Sequence, residues 1–179
     1  HIEGLITASG VNWYREDMNG DGPLPTWRNP DASDRQGITE NFYVQGHLAY
    51  WDALLAMNPG LRIDCCGSGG RRNDLEAMRR AVPLTRSDYN GVTTLASADG
   101  EQCQTYGLSS WLPFQGSGTG LFDPYSFRSF YMASFGFNYL GDQVAANQQG
   151  YGECKKIAPI MLNGDYYPLT SYSLADNVW

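Results

Sequence analysis

Two aspartates of this chain could together carry out acid–base or nucleophilic chemistry. Asp17 follows the apolar and aromatic segment Val11–Glu16, and Asp88 comes shortly after the segment Val82–Arg86. Because the carboxyl ends of parallel strands meet at one face, we expect both carboxylates there. Glycoside hydrolysis needs such a pair, in a retaining geometry if they are about 5 Å apart. The alternative is structural: both aspartates cap helices or pair with arginines, for which the candidates are Arg15, Arg72 and Arg86.

The segment that begins at Asp17 also matches the opening of a calcium-binding loop, D-x-N-x-D-G. Such a loop closes with a glutamate at its twelfth position, where this sequence has Arg28. Pro23 and Pro25 also fall where the loop should wrap around the ion. The calcium interpretation is therefore the weaker one, and we predict no metal and no other cofactor.

A glycine-rich segment, Gly67–Gly70, follows the apolar segment Leu61–Cys65. It lacks the lysine and hydroxyl of a P-loop and the spacing of a dinucleotide-binding motif. The pattern favours close approach of the backbone to a neutral ligand, and a plain tight turn is the alternative. Cys66 is a poor candidate nucleophile, because only His1 and His47 could activate it and neither is at a predicted strand end.

Short apolar segments alternate with helical patterns along the 179 residues, which predicts an α/β fold of parallel strands in one domain, residues 1–179. The predicted strands are Val11–Glu16, Leu61–Cys65, Val82–Arg86, Trp111–Gln115 and Phe135–Tyr139. The predicted helices are Ile38–Met57, Asp74–Ala81, Ser126–Ser134 and Tyr151–Ala158. The predicted loops and turns include Gly20–Pro30, Asn90–Gly100 and Gly116–Thr119.

Two of these helices carry clear end signals. Thr39 is predicted to cap the helix Ile38–Met57, and Asp74 is predicted to cap the next helix. In that second helix we expect Leu75 and Met78 to face inward.

Composition limits the possible partners. The formal net charge is −7 and no basic stripe is present, so nucleic acid and anionic membranes are poor partners. Aromatic residues make up 13% of the chain, which suits either a sugar-binding surface or a large aromatic core. None of the four cysteines has C-x-x-C spacing, which favours reduced thiols and a cytoplasmic location.

Several motifs resemble, in order, landmarks of family 36 glycoside hydrolases, the α-galactosidase group. They are WYREDMN, DRQGITE, LAYWDAL, IDCCGSGGRRNDLEAMRRAVPLTRSDY, DPYSFRS and GDYYPLTSYSLADNVW, and they run from about Leu5 to Trp179. The segment Ile63–Tyr89 is the most specific, since it combines C-x-S-G-G-x-R-x-D with a following R-S-D.

The resemblance implies a (β/α)8 barrel in which Asp17 is the nucleophile and Asp88 is the acid/base. It also implies a small carbohydrate as substrate, bound by Arg15, Asn19, Cys66, Gly67, Ser68 and Arg72. A complete barrel takes about 250 residues, so we expect a partial, half-like TIM barrel of about five parallel strands with crossover helices. Its open edges predict a homo-oligomer that covers them, or a rearranged N-terminal segment. A non-catalytic sugar-binding fragment is the alternative to a weakly active glycosidase.

Overall fold

A computed structural model describes residues 1–17, 29–91, 95–112, 114–137 and 142–172. These residues form two compact units, His1–Val82 and Pro83–Trp179. Within each unit, parallel strands are connected through helices, so the fold is α/β as the sequence predicts. None of the helices in the described ranges is long and apolar enough to span a membrane.

The first unit is built on a three-stranded parallel sheet with strand order β1-β2-β3. Its elements in chain order are α1 (Ile2–Ser9), β1 (Trp13–Asp17), α2 (Ile38–Met57), β2 (Arg62–Cys66), α3 (Leu75–Met78) and β3 (Ala81–Val82). The register sets Arg15 opposite Asp64, and Asp17 opposite Cys66. The end of β1 and the end of β2 therefore lie side by side.

The long helix α2 packs one face against this sheet. Trp51 and Leu54 are buried, and Trp51 joins Ile63 and Cys65 of β2 in one core cluster. The predicted bounds of this helix are confirmed, but Thr39 is not its cap. The capping group is the carboxylate of Asp31, which accepts hydrogen bonds from the Gly37 amide at 2.7 Å and from the Thr39 hydroxyl and amide.

The next helix, α3, is shorter than predicted. Asp74 caps it as expected, since its carboxylate accepts a hydrogen bond from the Ala77 amide at 2.9 Å. Leu75, however, is 69% exposed, and Ala77 is the residue that enters the core. The prediction is wrong for Leu75, which begins a helix of barely one turn, and is confirmed for Met78, which packs, partly buried, against the core cluster that contains Ala77.

The second unit contains a two-stranded parallel sheet, β4-β5, in which Gly116 lies opposite Ser134. Its elements in chain order are a short 3₁₀ helix (Asp88–Gly91), α4 (Leu95–Leu108), β4 (Gly116–Thr119), α5 (Pro124–Phe130), β5 (Ser134–Phe137) and α6 (Val144–Asn163). Phe127, Tyr131 and Cys154 form a core cluster that joins α5 to α6.

Several predictions in this unit are wrong. The helix predicted at Ser126–Ser134 lies at Pro124–Phe130, and the strand predicted at Val82–Arg86 ends at Val82. The strand placed at Trp111–Gln115 lies at Gly116–Thr119 instead, and all four of its residues are buried. A side chain is excluded at Gly116, where a Cβ would come within 1.8 Å of the Leu84 carbonyl oxygen. Helix α4 also occupies much of the loop predicted at Asn90–Gly100.

Candidate functional site

Strand β1 ends in an accessible carboxylate held by an arginine. The Arg15 guanidinium donates to the Asp17 carboxylate at 3.2 Å and forms a second, very close ion pair with Asp64 of β2. The side chain of Asp64 is only 6% exposed, whereas that of Asp17 is 33% exposed. Asp64 therefore fixes Arg15, and Arg15 fixes a carboxylate that solvent can reach.

The thiol of Cys66 lies beside Asp17 across the strand pair. Burial raises the pKa of this thiol, a hydrogen bond from the Gly69 amide lowers it, and the hydrogen bond to Asp17 raises it again. The net shift is upward, so the sulfur keeps its proton and donates it toward Asp17. A protonated, buried thiol is a poor nucleophile, in agreement with the weak sequence case for Cys66.

The turn after β2 brings backbone groups close to these side chains. The Gly67 amide donates to the Gly69 carbonyl at 3.3 Å, and Gly67 and Gly70 form an isolated bridge. Both Ser68 (φ 53°) and Gly69 (φ 68°) adopt left-handed backbone conformations. Such a conformation is unfavourable for serine and is concentrated at functional sites.

Glu16 points to the opposite face of β1 and is held by two residues of α2. One carboxylate oxygen bonds His47 Nε2 at 2.6 Å, and the other accepts from Trp51 Nε1 at 3.0 Å. Arg72 Nη1 lies 3.4 Å from the first oxygen. Burial acts to raise the pKa of Glu16, but the bonds from His47 and Trp51 and the charge of Arg72 outweigh it, and the pKa is lowered.

Comparison with known proteins gives one informative result. No family model matches the sequence, and no curated protein does. Among solved structures, the α-galactosidase from Lactobacillus brevis has a TM-score of 0.71 with this chain at 16% identity. The fold is similar to that of an α-galactosidase. The match covers 95% of this chain and 24% of the α-galactosidase, and at this identity it shows the fold alone.

Of the predicted site residues of the first unit, the structure brings together Arg15, Asp17 and Cys66. Gly67 and Ser68 follow Cys66 in the turn, and Arg72 lies against the start of that turn, where it also pairs with Glu16. Asn19 lies outside the described residues, as does most of the segment that resembles a calcium loop. Asp88 opens the 3₁₀ helix of the second unit and is exposed. Among the described residues, no group of three or more potential ligands is arranged to hold a metal.

Arg86 is buried in an ion pair of the second unit and has no solvent exposure at its side chain. Its guanidinium donates to the Glu101 carboxylate and to the side chain of Gln115. The Ser117 hydroxyl donates to the same Glu101 oxygen at 2.6 Å. The sequence suggested Arg86 as a partner for a catalytic aspartate, whereas the described contacts pair it with Glu101.

Three residues of the first-unit site were not predicted: Glu16, His47 and Asp64. Asp64 lies two residues before the end of β2, so a prediction based on strand ends does not include it. The alternation of side chains along Trp13–Asp17 would have separated Glu16 from Asp17 and directed it toward α2. The position of His47 on that helix, four residues before Trp51, was a further signal.

Proposed function

We propose that this chain is a retaining glycoside hydrolase of the α-galactosidase type, built on a partial (β/α) barrel of about five strands. The observation that carries the proposal is the accessible carboxylate of Asp17 at the carboxyl end of a parallel strand. It is paired with Arg15 and lies beside the glycine-rich turn. The likeness of the fold to an α-galactosidase supports this interpretation.

In the proposed mechanism, Asp17 attacks the anomeric carbon while Asp88 protonates the departing oxygen. The resulting glycosyl–aspartate ester is then hydrolysed by a water whose proton returns to Asp88. Arg15 would keep the attacking oxygen of Asp17 oriented. The remaining proposed sugar-binding residues are Asn19, Cys66, Gly67, Ser68 and Arg72.

The second candidate function is non-catalytic sugar binding. It is favoured by the observation that the chain spans only 24% of the length of the α-galactosidase it resembles. A fragment that keeps the residues around Asp17 could bind a sugar without the groups that stabilise the transition state.

Turnover of nitrophenyl α- and β-galactosides separates the two functions. We expect hydrolysis of one anomer, and Asp17→Asn and Asp88→Asn should each lower kcat by at least about 1,000-fold, because each removes a group that acts in the chemical step. Asp34→Asn is the matched control, since Asp34 is exposed and forms only a long, exposed pair with Arg35, at 3.9 Å, among the described residues. A 2-fluoro galactosyl fluoride should leave its sugar on the peptide that contains Asp17.

Binding of galactose without turnover would support the second candidate instead. Hydrolysis by both asparagine variants at the parent rate would exclude Asp17 and Asp88 as the catalytic pair.

We also propose that the protein self-associates to cover open sheet edges. Exposed edges present unpaired backbone groups that pair readily with another chain. Sedimentation equilibrium should give a mass at least twice the 19.8 kDa of one chain. A monomer over the whole concentration range would contradict this proposal.

A further inference from the structure

We infer that Glu16 is a positioning residue, which acts through Arg72 to fix the turn Cys66–Gly70 beside Asp17. The inference rests on the proposed function for its catalytic consequence. The contacts that connect Glu16 to the turn all lie inside the first unit and do not depend on activity.

Glu16 occupies a helix-facing position in β1. Its side chain faces α2, where a strand residue would ordinarily be apolar. A buried carboxylate is costly unless hydrogen bonds and opposite charge compensate it. Here His47, Trp51 and Tyr14 all bond to it, and Arg72 supplies the positive charge.

Arg72 contacts both Glu16 and the start of the turn. Its Nη1 lies 3.4 Å from Glu16 and donates to the Cys66 carbonyl at 3.0 Å. The same side chain passes close to Gly67, where an added Cβ would be 3.1 Å from the Arg72 Cγ atom. Arg72 therefore connects the helix-facing side of β1 to the start of the turn, and Glu16 is its negative partner there.

The turn is in contact with Asp17 through Cys66. Cys66 is opposite Asp17 in the sheet register, and its thiol bonds to the Asp17 carboxylate. If Arg72 lost its anchor, the Cys66 carbonyl would lose a charged donor and the turn could shift. Both the Cys66 thiol beside Asp17 and the turn residues proposed to bind the sugar, Gly67 and Ser68, would shift with it.

Substitution of Glu16 by glutamine tests this directly. Glutamine keeps the size of the side chain and can still accept from Trp51, but it removes the charge that holds Arg72. Hydrogen exchange measured on peptides that cover residues 66–72 should be at least about 10-fold faster in Glu16→Gln, because the turn opens more often. Glu76→Gln is the matched control, since it breaks exposed pairs with Arg79 and Arg80 in the same unit.

A double-mutant cycle tests whether Glu16 acts through Arg72. If it does, Arg72→Gln should speed exchange by a similar factor, and the double variant should be no faster than the faster single one. In an active protein, Glu16→Gln should also lower kcat/KM by about 10- to 100-fold, as small misplacements near a reacting group do. Should Glu16→Gln not fold, Arg72→Gln gives the same exchange test, because it removes the same charge pair from the other side.

Unchanged exchange in the 66–72 peptides, or multiplicative effects in the double variant, would overturn the inference. Because exchange needs no turnover, these outcomes are distinct from failure of the proposed function. In an inactive but sugar-binding protein, the same variants should weaken galactose binding instead.

Discussion

The buried ion pair between Arg86 and Glu101 provides the sharpest test of how the second unit is held together. Arg86 is 1% exposed and Glu101 is fully buried. The Glu101 carboxylate accepts from Arg86 Nε at 3.1 Å and from the Ser117 hydroxyl, while its other oxygen has no partner among the described residues. Glu101→Gln would keep the volume and could keep the accepting oxygen, so that charge is the main loss.

The expected cost follows from leaving a guanidinium buried without its counter-ion. Burial lowers the pKa of Arg86, and the charge of Glu101 works against that shift. Breaking a buried pair by removing one partner typically costs about 3–5 kcal/mol. The whole free energy of unfolding of a small protein is about 5–15 kcal/mol. We therefore expect Glu101→Gln to remove a large part of the stability of the unit that contains Asp88.

Urea unfolding followed by circular dichroism measures this loss. Glu153→Gln is the matched control, because Glu153 pairs with exposed Arg128 at 3.1 Å in the same unit. This variant should lose much less of its free energy of unfolding. The double variant Arg86→Met with Glu101→Leu should recover most of the stability, since both charges are removed together. A loss in Glu101→Gln no larger than in Glu153→Gln would refute the reasoning.

Two further predictions concern single positions. Gly116→Ala should destabilise the second unit by about 1–3 kcal/mol or more, because a Cβ there meets backbone that cannot move freely; Gly152→Ala, with open space around it, is the control in the same urea experiment. The second concerns Glu16, whose pKa is lowered in the folded protein. The contribution of Glu16 to the free energy of unfolding is fully present above the ordinary pKa of glutamate, about 4.3, and is lost as the pH falls through the lowered pKa. The stability difference between the parent and Glu16→Gln should therefore shrink from pH 7 to pH 3, and a constant difference would contradict it.

Elements with strong local signals were predictable from the sequence. Helix α2 is followed closely by Pro59 and Gly60, which end a helix, and its bounds agree with the prediction. Strands β1 and β2 are rich in β-branched, aromatic and other apolar residues, and each lies within two residues of its predicted start and end. The cap at Asp74 was also predictable, because a side chain that bonds the amide three residues on needs only local sequence.

Elements that depend on distant neighbours were not predictable. The sequence Gly-Ser-Gly-Thr of β4 has the composition of a turn, and it forms a strand because it fits where the Leu84 backbone leaves no room for a side chain. Helix α4 is largely polar and has little hydrophobic periodicity, so its pattern resembles a loop. Its buried Glu101 makes sense only with Arg86, which lies 15 residues earlier.

The two faces of β1 explain how Asp17 can be exposed and yet fixed. On its own face, Arg15 joins it to the buried carboxylate of Asp64. On the other face, Glu16 ties the same strand to α2 and, through Arg72, to the neighbouring turn. The proposed nucleophile must reach its substrate without losing its geometry, and a strand secured on both faces meets both needs. A strand ordinarily places an apolar side chain against a helix, so the partly buried carboxylate of Glu16 and the pair of Arg15 with Asp64 support a site at the end of β1 more strongly than Asp17 does alone.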